Sequence, residues 1–279
     1  MGVERLLRLW AMRATMNASQ LLRSRGELLA WSVTSVIGNV GSITGTFLIA
    51  QRFDGIGRWS RSEILFMLGF AVLVNALLNA LAGFNVGMVS RRIGRGQMDH
   101  TLLQPQPLWL SLMTEGFAPL EELGAITIGA GLIAIAARGA GVHASPAWVA
   151  LLVLQVLSSL LILIAYQYAW GSVAFWTPRA AEEINTRTSS MTWSVANLPL
   201  DGVYGWLRVG LLTAIPTGFV AWLPCRALLG IEPAYPAALI LTPAAAAVFA
   251  AIAILVFRKG LDHYVRTGSS RYSTFGHRR

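Results

Sequence analysis

The chain has 279 residues, of which 55% are hydrophobic and only 13% are charged, and its mean hydropathy is +0.57. This composition excludes an ordinary soluble domain and is typical of an integral membrane protein. The net charge of +9 favours membrane lipids over nucleic acid as a partner, because no basic stripe with interleaved aromatic residues lies outside the apolar segments. Because Cys225 is the single cysteine, an internal disulfide bond is excluded. The four histidines are scattered without the spacing of metal ligands, so no metal site is predicted.

The first predicted element is an amphipathic helix over residues 4–23. At 100° per residue, Leu6, Leu7 and Trp10 share one face, and arginines occupy the other. A basic amphipathic helix lies in the interface plane of an anionic leaflet. The helix is either a simple anchor or a lever between a cytoplasmic partner and the first span, and the sequence leaves both open.

Six apolar segments follow, each long enough to cross a hydrocarbon core of about 30 Å as a helix. Their predicted bounds are 29–50, 64–89, 118–137, 148–176, 203–225 and 237–257. The alternation of barrel strands is absent, so the backbone must satisfy itself in helices. The predicted fold class is therefore an all-α integral membrane protein, with residues 1–279 in a single transmembrane domain.

The basic residues predict the orientation. Most of the 22 lysines and arginines lie in the N-terminal segment, in the connections after the second and fourth spans, and in the tail 258–279. Because cytoplasmic loops carry the excess of basic residues, both ends are expected inside. We expect a multi-pass protein of the plasma membrane of a bacterial cell.

Polar residues within the spans are the candidates for a substrate path, because amides at membrane depth must find partners. Asn75 and Asn79 are four residues apart on the second span, and Gln155 and Tyr166 lie on the fourth. Three further features of the spans carry expectations. Glu121 and Glu122 are expected in the first turn of the third helix, facing its positive dipole end. Arg208 should extend to the cytoplasmic interface, and Pro216 should kink the fifth span.

The segment 90–109, SRRIGRGQMDHTLLQPQPLW, is a polar loop between two long apolar runs. A membrane protein with little other soluble mass needs such a loop to contact another protein. A Walker A loop requires a lysine, and Lys259 is the only lysine, directly after a span. This excludes a phosphate-binding loop, so we predict that the chain is not an enzyme.

Within this segment, GRGQMDHTLLQPQPLWL resembles the G-x-[LM]-D-x-x-L-L-x-P-x-P segment of the ABC type-2, exporter-type permease subunits. The stretches LPLDGVYGWLRVGLLTAIPTGFVAWLPCRALLG and RKGLDHYVRTGSSRY are similar to the same family. The resemblance implies a half-transporter that moves an amphipathic compound outward. Its implied partners are a second permease, identical or homologous, and separate cytoplasmic ATPase subunits that hold ATP and Mg.

The resemblance also implies a coupling helix that enters a cleft on the ATPase, formed in or beside Gly94, Gly96, Asp99, Leu102, Leu103 and Pro105. The glycines would allow a sharp turn, Asp99 would cap the helix, and the two leucines would form its apolar tip. Two alternatives stay open. One is an ion- or proton-coupled carrier with Glu121, Glu122 or Arg208 in a cavity, and the other is a structural membrane protein.

Overall fold

The computed structural model describes residues 3–23, 25–83, 86–231 and 238–268. Most of these residues are helical, as the sequence predicts. The helices are α1 (Val3–Arg23), α2 (Arg25–Arg52), α3 (Arg61–Leu81), α4 (Val89–Gly94), α5 (Gln97–Leu102), α6 (Leu108–Glu115), α7 (Leu123–Gly139), α8 (Pro146–Val173), α9 (Pro178–Ala196), α10 (Gly205–Thr213), α11 (Trp222–Leu229) and α12 (Ala238–Thr267). A short antiparallel hairpin of β1 (Gly55–Ile56) and β2 (Trp59–Ser60) joins α2 to α3.

Several of these helices have the length and composition of membrane spans. Among the described residues, α3, α8 and α12 are each long and apolar enough to cross a membrane. The pair α10 and α11 passes the same test together, but a bend of 75° separates the two helices, so the number is three or four. The apolar helix α7 is shorter. The chain is an all-α membrane protein.

Two helix pairs form the core. α3 runs antiparallel to α7, and Gly129 lies so close to α3 that an added Cβ would be 2.7 Å from the backbone nitrogen of Leu73. Small residues at such a contact allow helices to approach closely in lipid. α8 runs parallel to α12, and the Gln155 side chain donates to the Leu239 carbonyl at 2.9 Å. The pairs place the β-hairpin at one end of the bundle, the hairpin end, and α4 with α5 at the other, the coupling end.

Two predicted spans have different bounds in the structure. The second predicted span, 64–89, is not one helix, because α3 ends at Leu81 and Gly83 follows with a φ of 55°. Glycine adopts this left-handed conformation readily and commonly ends helices there. The helix of the third predicted span, α7, begins only at Leu123. Glu121 and Glu122 precede it, so their expected place in its first turn is wrong. In the tail 258–279, α12 continues as far as Thr267.

The fifth predicted span, 203–225, does not cross the bundle. Asp201, just before α10, forms an ion pair with Arg226 in α11, and its carboxylate also accepts from Trp59 of the hairpin. Both ends of the bent pair α10–α11 therefore lie at the hairpin end. The predicted kink at Pro216 is confirmed, because α10 ends at Thr213 and a short 3-10 turn follows the proline.

Instead of the fifth predicted span, α9 connects the hairpin end and the coupling end of the bundle. This helix lies within a stretch predicted to be a cytoplasmic connection. Near its start, Asn185 donates to the Gly87 carbonyl at 2.8 Å, at the coupling end. A few residues after its end, Asp201 lies at the hairpin end. With 19 residues, α9 is about 28 Å long at about 1.5 Å per residue. The polar composition of α9 hid this role from a hydropathy reading.

Candidate coupling surface and polar cavity

The segment 90–109 folds into α4, α5 and the start of α6. Gly94 is buried at the end of α4, and Gly96 has a φ of 69°, which places it in the left-handed region that favours glycine. The turn at Gly96 directs α5 back against the bundle, and Met98 is fully buried there. The glycine-rich stretch is thus a compact turn between two short helices.

Asp99 has a different partner from the one expected. Gly96, not Asp99, occupies the N-cap position of α5, and the Asp99 carboxylate accepts a hydrogen bond of 2.7 Å from the hydroxyl of Tyr264. Tyr264 is buried near the end of α12. No pattern of neighbouring residues could indicate this bond, because 165 residues separate the two side chains. The contact ties α5 to α12.

The predicted apolar tip is divided between the core and the surface. Leu102 is half-buried and packs against the cluster that contains Met98 and Tyr264. Leu103 is 82% exposed, and Pro105 beside it is also exposed. Of the two leucines, Leu103 is therefore the one available to a partner.

Two ion pairs hold α4 against its neighbours. Arg91 lies 2.7 Å from Glu182 of α9, and Arg92 lies 2.5 Å from Glu115 of α6. The second pair is mostly buried, with both side chains about four-fifths covered. At the far end of the segment, Arg5 of α1 donates to the Pro105 carbonyl at 3.2 Å. The coupling segment is thus in direct contact with α1, α6, α9 and α12.

A cavity of about 380 Å³ lies between α2, α3 and α9. Its lining combines amides and hydroxyls with an indole and small aliphatic groups, and none of the described residues that line it is Asp, Glu, Lys, Arg or His. The lining residues are Asn39, Thr46, Ala71, Val72, Asn75, Trp193, Ser194, Asn197 and Leu198. Asn75 is the one residue of the four predicted for a substrate path that lines this cavity.

The other three predicted path residues lie elsewhere. Asn79 hydrogen-bonds the carboxylate of Glu122, near the start of α7. Gln155 is fully buried in the contact between α8 and α12. Tyr166 is buried on α8, with its ring 6.3 Å from that of Trp170 in an edge-to-face arrangement. Within the described residues, no group of three or more His, Cys, Asp and Glu side chains is placed to hold a metal ion.

A buried polar cluster at the hairpin end was not predicted. The Asp201 carboxylate accepts from the indole nitrogens of Trp59 at 2.6 Å and Trp222 at 2.8 Å, and it pairs with Arg226. The Arg208 guanidinium donates to the Asp201 carbonyl at 3.1 Å and lies 5.9 Å from the Trp222 ring centre. Arg208 therefore lies at the hairpin end, opposite the coupling end, so Arg208 and the coupling segment cannot both face the cytoplasm.

A comparison with family models finds one match along most of the chain. The model is described as ABC-2 family transporter protein, and it covers residues 36–268, which include the coupling segment and the cavity lining. No curated protein and no solved structure matches the chain.

Proposed function

This chain belongs to the ABC-2 transporter family, and we propose that it is the permease subunit of an ABC exporter for an amphipathic compound. The family match over residues 36–268 is the observation that carries the proposal. It confirms the resemblance read from the sequence. Membership makes the chain the membrane component of a transporter and implies association with ABC ATPase subunits.

We propose six spans with both ends inside. The spans are α2, α3, α6 with α7, α8, α9 and α12, whereas α10 and α11 enter from the outer surface and return to it. Support comes from the chain path, since each of these helices joins the hairpin end to the coupling end. The hairpin end is then outside, and the basic residues Arg91, Arg92 and Arg95 lie inside. α1 lies on the inner leaflet, where its exposed Leu7 contacts lipid.

In this arrangement the coupling segment is the surface that meets the ATPase. Leu103 enters the cleft on the ATPase, and ATP with Mg²⁺ is held by that partner. Movement of the ATPase displaces α4 and α5, and the contacts Arg91–Glu182 and Asp99–Tyr264 carry the displacement to α9 and α12. Because α9 lines the cavity, the access of the cavity to the two sides of the membrane changes with the nucleotide state of the ATPase. A substrate biases the two states only through different affinities for them.

The pathway requires a second permease chain, identical or homologous. The cavity opens between α2, α3 and α9, and α2 has a row of exposed apolar side chains that includes Val33, Ile37 and Val40. A second chain and lipid are the partners for this face. We also propose that the protein resides in the plasma membrane of a bacterial cell.

The test is reconstitution of the chain with and without its ATPase in lipid vesicles. We expect the chain alone to hydrolyse no ATP and to move no substrate, and the complex to move a fluorescent amphipath in an ATP-dependent manner. Transport by the chain alone, driven by a proton or ion gradient, would instead identify a secondary carrier and overturn the proposal.

Membrane orientation has its own test, and Cys225 makes the native chain a suitable background, because this single cysteine is fully buried. Arg58→Cys in the hairpin and Thr267→Cys at the end of α12 both replace exposed residues. An impermeant maleimide should label the first in intact cells and the second only after the membrane is opened. The reverse pattern would contradict the proposed orientation.

A further inference from the structure

The chemistry of the cavity between α2, α3 and α9 indicates what it can hold. Asn39, Asn75 and Asn197 supply carboxamides, and Thr46 supplies a hydroxyl. The Ser194 hydroxyl donates to the Ser190 carbonyl at 3.0 Å and is left as an acceptor. Carboxamides and hydroxyls both donate and accept hydrogen bonds. They therefore match a ligand whose polar groups also do both, as hydroxyls and amides do.

The absence of a charged group from the lining sets a limit on the ligand. A charge that leaves water is stabilised by an opposite charge, and a quaternary ammonium is also stabilised by the face of an indole ring. Within the described part of the chain, the lining has no basic side chain for an anion, whereas a cation can meet the ring of Trp193. Hydrogen bonds to uncharged groups carry no such requirement.

The volume and the apolar lining define the rest of the ligand. At about 380 Å³, the cavity is near the lower end of the range of roughly 300–1,000 Å³ for small-molecule sites. It holds a head group of the size of a sugar, and not a whole lipid. The Trp193 ring offers a flat face for stacking, and Val72 and Leu198 offer apolar contacts.

We propose that this cavity binds the uncharged, hydrogen-bonding head group of an amphipath, and that it disfavours anionic head groups. The proposal rests on the transport function proposed above, because it names the class of compound that the permease moves. Asn75, Trp193 and Asn197 are the residues that would contact the head group, and the alkyl chain would extend out of the cavity opening.

The test uses a cysteine as a reporter of occupancy. Ser194→Cys places a thiol of similar size in the lining, and Met191→Cys places one at an exposed position of α9 outside it. The rate of maleimide labelling is measured on the purified chain in phosphatidylcholine nanodiscs, with no ATPase and no ATP. The probes are octyl glucoside, octyl sulfate and octyltrimethylammonium below their micellar concentrations, because they share a tail and differ in head-group charge.

We expect octyl glucoside to slow labelling of Ser194→Cys in a saturable manner and octyl sulfate to bind at least about tenfold more weakly. Labelling of Met191→Cys should not respond to any probe. Asn75→Asp in the Ser194→Cys background adds a carboxylate, so octyl sulfate should protect still less and octyltrimethylammonium should protect better than in the parent variant. A purely structural role for Asn75 would not separate the two charged probes in this way.

Three results would overturn the proposal: equal protection by octyl glucoside and octyl sulfate, protection by no probe, and a Ser194→Cys thiol that never reacts because another chain covers it. Because these measurements need no ATP, they are independent of the transport assay. Selective protection without ATP-driven transport would retain the site and reject the exporter. ATP-driven transport without selective protection would do the opposite.

Discussion

The buried ion pair at the hairpin end gives the sharpest stability prediction. Arg226 is 3% exposed and Asp201 is 19% exposed, and the carboxylate also accepts from Trp59 and Trp222. Asp201→Ala removes the acceptor for all three donors. The mutation also leaves the guanidinium of Arg226 in the interior without that carboxylate. The perturbation therefore affects the contacts that hold the end of α9, the hairpin and α11 together.

The expected loss follows from the burial of the pair. Removal of one partner from a buried ion pair costs about 3–5 kcal/mol, because the remaining charge is no longer compensated. Asp201 is not fully buried, so water can partly replace the carboxylate. We therefore expect the free energy of unfolding to fall by about 3 kcal/mol. Each indole also loses a hydrogen bond of about 1 kcal/mol, but contacts within one cluster do not add independently.

The free energy of unfolding is measured by titration with a denaturing detergent in mixed micelles, followed by tryptophan fluorescence. The matched control is Glu4→Ala, which breaks an exposed pair between Glu4 and Arg8, with side chains 80% and 77% exposed. Exposed pairs contribute roughly 0–1 kcal/mol, so the control should change little. The double variant Asp201→Ala/Arg226→Met should be more stable than Asp201→Ala alone, since it also removes the buried charge.

The reasoning would be refuted by a loss for Asp201→Ala as small as that for Glu4→Ala. It would also be refuted if Arg226→Met in the double variant added its full single-mutant cost, because coupled residues deviate from additivity. Either result would mean that the carboxylate and the guanidinium do not stabilise the hairpin end together.

Three further predictions concern the coupling end and the helix contacts. Leu103→Asp should weaken ATPase binding by about 2 kcal/mol, or roughly thirtyfold in Kd, as measured by co-purification. Val265→Asp, at another exposed position near the end of α12, should leave binding unchanged, and an equal loss for both variants would contradict docking at Leu103. Tyr264→Phe should leave the ATPase bound but lower the amount of substrate moved per ATP, because α5 loses its hydrogen bond to α12; an unchanged ratio would argue against this link. Gly129→Ala should destabilise the chain by about 1–3 kcal/mol through overpacking against α3, whereas Gly131→Ala, with no neighbour within 4 Å of its added Cβ, should be neutral or stabilising in the same unfolding titration.

The sequence alone determined the membrane class, the helical fold and the family. Long apolar runs must be helical in lipid, because a helix satisfies its own backbone, and α8 and α12 lie where those runs predict them. The coupling segment was also visible, because its glycines, prolines and charges interrupt the apolar pattern. These features are local, so a reading of neighbouring residues is sufficient.

The tertiary structure decided the features that depend on distant residues. Hydropathy assigned 203–225 as a span, but the bond between Asp201 and Arg226 brings both of its ends to one side. Hydropathy did not identify α9 as a helix that crosses the bundle. Its polar residues are accommodated because they pack against α4 and α8 or line the cavity. The bond between Asp99 and Tyr264, and the meeting of Asn39, Asn75 and Asn197, join side chains far apart in the chain. Hydropathy measures the affinity of a segment for lipid, whereas the path of the chain depends on which buried polar groups find partners in other helices.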